Sequence, residues 1–396
     1  MKRYYFILLI SALLLTLTAC SAWPAGLFAT GSAQKQTFPG KIAILTDDAA
    51  PNSAEYLAAR QMVEKYGEDK IIHDFWPEGI MDDADQREAA FSRIAADPEI
   101  QALIINPVTP GAITEVNRIL EIRDDIFIVV CMSEGNAATL TTKAGLLLAT
   151  DEAASGSAMV LQAKKMGAAT FVHYSFPSLM EQPLPDERLE RIMEKCADLG
   201  LEFVDAEIPA HLSAEDRAEE VRQFILDDVP KMVASYGQDT AFFGASCVMQ
   251  APLIEAVVEN GAVYPQPCCP SPFHGFPRAL GLITEEDEDI ASLEDVIADT
   301  IRTLKDRDML GRLSTWPAPA ATLFTQAGVE YAVKRLNGEV TQEGIDVAAL
   351  EKCMKDQAGV DCYTNTYTDA AGAEYANYLL VREAYLTYDD KLYDDT

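Results

Sequence analysis

The stretch Leu146–Gly167, LLLATDEAASGSAMVLQAKKMG, decides the predicted fold. It opens with a short apolar run that is typical of a buried strand, and Thr150 and Asp151 interrupt that run. Either polar side chain can cap a following helix, which Gly167 ends. Because units of strand and helix stand on both sides of this turn, we predict that the chain passes here from one lobe to another. Asp151 is then the hinge residue, and a ligand lies between the lobes.

Alternating strands and helices are predicted before and after the turn. The apolar runs of strand length are 40–47, 70–76, 101–107, 125–132, 144–149, 169–174, 201–208 and 240–244. Repeated units of this length predict an α/β fold of two Rossmann-like lobes with parallel sheets. We assign 41–150 and about 277–315 to an N-terminal lobe, and 151–276 and about 320–396 to a C-terminal lobe. The tyrosine-rich tail is predicted to end in a helix over about 371–388.

The composition narrows the possible functions. With 396 residues, of which 49% are apolar, the chain is long enough for two domains with sizeable cores. Its net charge of −32 at pH 7 repels nucleic acid and anionic lipid. The sequence has no phosphate-binding glycine loop, no nucleophile elbow and no zinc-protease motif. We therefore predict no enzyme, no cofactor and no nucleic-acid partner.

The N-terminus has the pattern of an export signal. Lys2 and Arg3 precede an apolar run over 4–17, which is too short for a comfortable membrane span. The ending LTAC at 17–20 resembles the bacterial lipobox, in which the enzyme cuts before the cysteine and lipid is attached to it. Residues 1–19 are then a signal peptide, Cys20 carries the lipid on the extracytoplasmic side of the cell membrane, and 20–40 form a tether. The alternative is a plain signal peptide with a chance cysteine.

Several motifs together resemble the type 1 periplasmic binding proteins, particularly their ribose-type branch. They are LIINPVTPGAITEVN at 103–117, ATDEAASG at 149–156, the helix 187–200 and GVEYAVKRLNGE at 328–339. Behind a lipobox, the chain looks like an uncharacterised group of bacterial lipoproteins within that superfamily. The resemblance implies two lobes joined by a multi-strand hinge of three crossings, a small ligand in the cleft, and the permease of an ABC importer as partner.

Two departures from the sugar-binding pattern bear on the ligand class. Sugar-binding relatives commonly place an Asp-Arg pair after the fourth strand, where this chain has Cys131 and Met132. Later they place Asn-Asp, where this chain has Ser246 and Cys247. The Asp-Arg pair makes charged bidentate bonds to hydroxyl groups. The resemblance therefore carries over the fold but not the usual pentose specificity.

Open parallel sheets bind ligands beyond the carboxyl ends of their strands. The candidate ligand-binding residues chosen on this basis, or for closeness to a helix start or a crossing, are Asp47, Asp48, Trp76, Asn106, Met132, Ser133, His173, Tyr174, Arg188, Ser246 and Trp316. Trp76 can stack on a ring or pack under a loop. Trp316 falls near the third crossing and can close the cleft. The aspartates can bind a ligand or satisfy loop N–H groups, Arg188 can reach a ligand or solvent, and a lone histidine is often structural.

Cysteines and one histidine suggest a second kind of site. If Cys131 and Cys247 meet the loop PCCPSPFH at 267–274 at the cleft, then Cys268, Cys269 and His274 join them around a soft metal ion. Buried core thiols beside a rigid proline-rich loop explain the same residues equally well. The spacing does not favour a metal, and the leading prediction assigns none.

The leading functional prediction is a monomeric, lipid-anchored receptor that captures a small molecule between two lobes and delivers it to an ABC-type importer. A receptor that feeds a signalling partner, or a lipoprotein that binds a soft metal, are the alternatives. An enzyme or adhesion module on the same fold is favoured only if the cleft is plugged by side chains or by the tyrosine-rich tail.

Overall fold

The computed structural model describes residues 37–47, 53–76, 84–107, 112–131, 144–213, 217–283 and 292–389. Seven of the described strands form the sheet of the N-terminal lobe, in the order β10-β11-β5-β4-β3-β1-β2. All neighbours in it are parallel except β10 and β11. The strands are β1 (Lys41–Asp47), β2 (Ile71–Trp76), β3 (Ile100–Ile105), β4 (Phe127–Cys131), β5 (Leu146–Thr150), β10 (Cys362–Thr368) and β11 (Glu374–Glu383).

Helices cover this sheet on both faces, as the continuous apolar strands predict. One core contains Ile44 and Val129 of the sheet together with Leu323 and Leu350 from two helices late in the chain. The opposite core contains Leu103 and Ile128 with residues of earlier helices. The described helices of this lobe are α1 (Ala54–Tyr66), α2 (Ala84–Ala96), α3 (Ala112–Ile122), α11 (Ala320–Leu336) and α12 (Val347–Ala358).

The C-terminal lobe repeats the arrangement on a smaller sheet. Strands β6 (Thr170–Ser175), β7 (Glu202–Glu207) and β8 (Thr240–Gly244) lie parallel in the order β7-β6-β8. Single parallel bridges from Ala241 to Val263 and from Tyr264 to Leu313 extend the sheet. Its described helices are α4 (Glu152–Lys165), α5 (Pro177–Met180), α6 (Pro183–Leu199), α7 (Ala218–Tyr236), α8 (Gln250–Asn260), α9 (Phe276–Leu280) and α10 (Leu293–Asp306).

The later segments belong to the opposite lobes from those assigned from the sequence. Helix α10 puts Ile301 and Leu304 into the core of the C-terminal lobe, whereas the sequence assigned about 277–315 to the N-terminal lobe. Helix α11 packs Leu323 on the first sheet, and β10 and β11 extend that sheet, whereas the sequence assigned about 320–396 to the C-terminal lobe. The apolar stripe of a helix shows which face of the helix is buried, but it does not show which sheet that face covers.

The predicted tail helix over 371–388 is wrong. Residues Glu374–Glu383 form strand β11, which pairs parallel with β5 and antiparallel with β10. Leu379 and Val381 point into one core, and Tyr378 points into the other. The alanine, leucine, arginine and glutamate of this stretch favour a helix locally, and pairing with a distant buried strand overrides that preference.

The described chain passes between the lobes at three places, in agreement with the predicted hinge. The first is Thr150–Asp151, between β5 and α4. The second runs from β9 (Ser314–Thr315) through Trp316 into α11, and the third runs from β11 into β12 (Leu386–Thr387). The three segments touch, because β12 pairs with β9 and the Asp151 N–H donates to the Val381 carbonyl at 2.9 Å.

Asp151 is the helix cap that the sequence predicted, and it also binds the sheet. One carboxylate oxygen accepts from the Ala154 N–H at 3.0 Å, and the other accepts from the Asn365 side-chain amide at 2.6 Å. The side chain is buried. An ordinary cap for comparison is Asp346, which accepts from the Ala349 N–H at 3.0 Å at the start of α12.

We expect Asp151→Ala to cost about 2–4 kcal/mol of unfolding free energy, because a cap is worth about 1 kcal/mol and a hydrogen bond to a charged group about 1.5–3 kcal/mol. The matched control Asp346→Ala should cost only about 1 kcal/mol. Urea unfolding of both variants measures the difference. Equal losses would show that the Asn365 contact adds nothing.

Glu383 ends β11 at the third crossing and is fully buried. Its Oε2 accepts from the Ala318 N–H at 3.2 Å, while Oε1 has no hydrogen-bond partner among the described residues. Burial raises the pKa of this carboxyl well above its usual 4.5. The folded chain therefore holds the group neutral at pH values where the unfolded chain ionises it.

Because the folded-state pKa is raised, stability is lost as the pH rises above about 4.5 towards the folded pKa. Glu383→Gln keeps an acceptor for Ala318 and removes this ionisation. We expect the melting temperature of the variant, relative to the unchanged protein, to increase steadily from pH 4 to pH 8. A difference that is independent of pH would contradict the buried neutral carboxyl.

Candidate functional site

The described chain leaves both sheets at their carboxyl ends when it passes through the hinge. Strand β5 leaves its sheet at Thr150 and enters the C-terminal lobe, and the parallel strand β11 does the same at Glu383. In the other direction, Leu313 pairs parallel with Tyr264 of the C-terminal lobe. The chain then leaves this lobe at Thr315 and enters the N-terminal lobe. Ligands of open α/β sheets bind beyond these ends. The candidate site therefore lies between the lobes.

The predicted contacts of the N-terminal lobe are only partly described. Asp48, Met132 and Ser133 lie outside the described residues, as does the predicted lipidated Cys20, and nothing is described of the side chains of Asp47 and Trp76. Asn106 is described and is buried. Its amide donates to the Ala321 carbonyl at 2.8 Å and to the Thr325 hydroxyl at 2.9 Å, so it joins the end of β3 to α11. Its contact with a ligand stays a prediction.

His173 and Tyr174 lie in the core of the C-terminal lobe. The His173 ring stacks on Phe243 at 5.9 Å, and its Nδ1 is 3.3 Å from an Asp205 carboxylate oxygen. Burial lowers the pKa of His173, so the ring is held neutral. On the other face of the strand, the Tyr174 hydroxyl donates to Asp228 at 2.8 Å. Both side chains are satisfied within the lobe, and their ligand contacts stay predictions.

Arg188 and Ser246 complete the predicted set in this lobe, and Ser246 is half-buried just beyond β8. Arg188 is 5% exposed, and its guanidinium lies over the Phe243 ring at 5.3 Å. Its Nη1 is 3.4 Å from a Glu152 carboxylate oxygen, and its Nε has no hydrogen-bond partner among the described residues. A buried guanidinium beside the first crossing thus keeps a spare donor.

Trp316 is fully buried at a crossing of the described chain. In chain order this is the second crossing, and the third is the tail segment between β11 and β12, which the sequence had placed in a helix. The Tyr385 hydroxyl of that third segment donates to the Gln266 side chain. A role for Trp316 in closing the cleft stays a prediction.

Four side chains with metal-binding atoms meet beyond β8. They are Cys247, Cys268, Cys269 and His274, and one ligand atom from each lies within 4.8 Å of the others. The sulfur of Cys247 is 3.5 Å from that of Cys269 and 3.7 Å from that of Cys268, while the last two are 3.8 Å apart. The Cys268 sulfur is 3.5 Å from Nε2 of His274. The sequence hypothesis of a thiol cluster is thus correct for these four residues.

Gln250, at the start of α8, holds the cluster together. Its side-chain oxygen accepts from the Cys268 N–H at 3.2 Å, and its amide donates to the Gly244 carbonyl at 2.9 Å. One side chain therefore joins the end of β8 to the proline-rich loop. Sequence reasoning missed this residue, because a glutamine at a helix start carries no signal for such a bridge.

Within the cluster, Cys247 differs from the described cysteines elsewhere in the chain. Hydrogen bonds from Cys268 and Cys269, together with His274, lower the pKa of Cys247, which favours its thiolate. Elsewhere burial raises the pKa of Cys196, Cys353 and Cys362 to about 12 in each case. The remaining one, Cys131, lies in the core of the N-terminal lobe, so its predicted membership of the thiol group is wrong.

The comparisons with known proteins give the chain a family. A family model described as a protein of unknown function, DUF3798, matches residues 40–314. The chain belongs to this family. Two uncharacterised proteins of Treponema pallidum (strain Nichols) are similar to it. One is 28% identical over 174 residues, 42% of this chain and 79% of the relative. The other is 26% identical over 204 residues, 52% of this chain and 92% of the relative.

Solved structures show the fold of this DUF3798 protein. A Clostridium difficile 630 protein described as a candidate transcriptional regulator is 24% identical, with a TM-score of 0.80 over 89% of this chain and 100% of that one. A protein of Actinomyces odontolyticus ATCC 17982 described as a sugar ABC transporter is 9% identical, with a TM-score of 0.53 over 90% and 97%. The predicted type 1 periplasmic-binding-protein fold is confirmed.

The loop of the cysteine cluster ends in a conformation that requires glycine. Gly275 has φ of 85°, and a Cβ there would lie 2.9 Å from Cβ of Gln250. Gly281 has a similar φ of 72°, with no atom within 4 Å of an added Cβ. An alanine at either glycine strains the backbone, but only an alanine at Gly275 also collides with Gln250.

We expect Gly275→Ala to cost about 1–3 kcal/mol more than Gly281→Ala, because only the former forces Gln250 and the loop apart in addition to straining the backbone. Thermal unfolding of both variants measures the cost. Equal losses of stability in the two variants would show that the loop can shift at Gly275 without cost.

Proposed function

We propose that this protein is an extracytoplasmic, lipid-anchored receptor that captures a small solute between its two lobes and delivers it to an ABC-type importer. The observation that carries the proposal is the arrangement of the hinge. All three described crossings leave a sheet at its carboxyl end, which brings the two ligand-binding edges of α/β sheets together. A solute that contacts both edges stabilises the closed form of such a hinge.

We infer that Arg188 binds a polar solute from the C-terminal lobe. Its position beside Glu152 puts it next to the first crossing, and the close contact of α4 with α6 depends on Gly156, where a Cβ would lie 2.5 Å from the Arg188 carbonyl oxygen. The spare Nε donor suits an oxygen of a carboxylate or hydroxyl group.

The sequence supports the lipid anchor, and the shared fold of a solved structure supports the importer as partner. The charged start, the short apolar run and LTAC at 17–20 support export and lipid attachment at Cys20. None of the helices in the described part of the chain has the length and apolar character that crossing a bilayer needs. The sugar ABC transporter protein named above shares the fold, which supports an importer as partner. The regulator description of the other relative does not suit a net charge of −32.

A thermal-shift screen of the chain from Ser21 onward, against pentoses, hexoses, nucleosides and amino acids, tests the proposal. We expect one chemical class to raise the melting temperature, since a ligand at a hundred times its Kd adds about 2.7 kcal/mol. Arg188→Ala should remove most of that rise, because it takes away the cationic contact with the solute.

The matched control is Arg123→Ala. Arg123 is also largely buried, but it binds Asp125 at 2.6 Å and lies at the amino ends of β3 and β4. It should lower stability without changing the ligand-induced rise. Equal rises in the two variants would place the solute away from Arg188. Failure of every compound to raise the melting temperature, with unchanged small-angle scattering, would count against a solute receptor.

A further inference from the structure

We propose that Cys247, Cys268, Cys269 and His274 form a tetrahedral binding site for one thiophilic d¹⁰ metal ion, of which Zn²⁺ fits the geometry. The inference goes beyond the proposed solute capture and stands whether or not the lobes close on a ligand. It rests on the positions of four side-chain atoms and on the residues that fix them.

The spacing of the ligand atoms matches a tetrahedral ion. With Zn–S bonds of about 2.3 Å and Zn–N bonds of about 2.0–2.1 Å, tetrahedral angles place two sulfurs about 3.8 Å apart and a sulfur and a nitrogen about 3.5 Å apart. The three sulfur pairs measure 3.5, 3.7 and 3.8 Å. The sulfur of Cys268 and Nε2 of His274 are 3.5 Å apart. These four distances match a tetrahedral ion, and the other two, from His274 to Cys247 and to Cys269, lie within 4.8 Å.

Neither a disulfide nor core packing accounts for the cluster as well as a metal ion does. A disulfide needs a sulfur–sulfur distance of about 2.05 Å, well below the shortest pair here, and all seven described cysteines are free. Core packing fails because Cys247 and Cys269 are exposed, whereas Cys196 and Cys353 of the same chain are buried. Three partly exposed thiols and an imidazole that converge on one point form a donor set for a soft ion.

The site is built from elements that fix its ligands independently. Cys247 begins the short helical turn Cys247–Met249 that leads into α8. Cys268 is fixed through its N–H by Gln250, and His274 is fixed by a hydrogen bond from its own N–H to the Ser271 carbonyl at 3.1 Å. Such preorganisation lowers the cost of gathering three thiols before the ion binds.

The type of ligand selects the class of ion. Thiolates and imidazole favour Zn²⁺ and Cu⁺ over Mg²⁺ and Ca²⁺, which take oxygen ligands. A Cys₃His set fills all four tetrahedral positions with protein, which is the arrangement of a closed site rather than one that keeps a position for a substrate water.

The test uses the chain from Ser21 onward, purified under reducing conditions, stripped with chelator and titrated with Zn²⁺ alone. We expect one ion per chain by elemental analysis, and intense visible bands of tetrahedral thiolate coordination when Co²⁺ replaces Zn²⁺. Cys268→Ser and Cys247→Ser should each weaken binding by more than the roughly 10–100-fold that loss of an outer partner costs. Gln250→Ala, which removes such a partner, should fall within that range.

Cys196→Ser is the matched control, because this cysteine is buried away from the cluster, and it should keep one ion per chain. Circular dichroism confirms that each variant is folded. Three results would overturn the proposal. They are binding that survives Cys247→Ser and Cys268→Ser together, a weak octahedral Co²⁺ spectrum from carboxylate binding, or five instead of seven free thiols in metal-free protein, which indicates a disulfide.

Discussion

Asp151 fastens one lobe to the other, and the rest of the arrangement depends on it. Its carboxylate caps α4 of the C-terminal lobe and accepts from Asn365 of the N-terminal lobe, while its N–H donates to Val381. A buried carboxylate is tolerated only when hydrogen bonds replace the water it has lost, and these contacts do so. Because the same residue binds β11 at Val381, the third crossing lies beside the first.

The fold could be predicted wherever neighbouring residues alone determine the local structure. The run LLLAT followed by Asp151 contains a strand, a cap and a helix within a few residues, and the structure has all three there. The tail did not carry such evidence. Residues Glu374–Glu383 favour a helix locally, and pairing with β10 and with β5, more than two hundred residues earlier, makes them a strand. Lobe membership of α10 and α11 failed for the same reason, since it depends on which sheet lies nearby.

The candidate site was predictable at the level of strand ends and less so at the level of contacts. The rule that ligands bind beyond carboxyl ends drew attention to Cys247, and the structure places this residue beside the loop that carries Cys268. It could not show that Asn106 is used to hold α11, or that Tyr174 is bound to Asp228 within the core. Those side chains stand at or near the ends of strands, but partners contributed by distant helices decide their role.

The surroundings of each strand end also decide which thiols cluster. Cys131 and Cys247 both lie at or just beyond the carboxyl end of a strand, but Cys131 is covered by the apolar core beneath α11, whereas Cys247 is exposed beside the proline-rich loop. Burial stabilises the neutral thiol, and neighbouring hydrogen-bond donors stabilise the thiolate. A net charge of −32 concentrates cations of every kind around the molecule, so charge alone gives no selectivity. Selectivity for a soft ion must come from sulfur, and among the described residues three sulfurs meet only beyond β8.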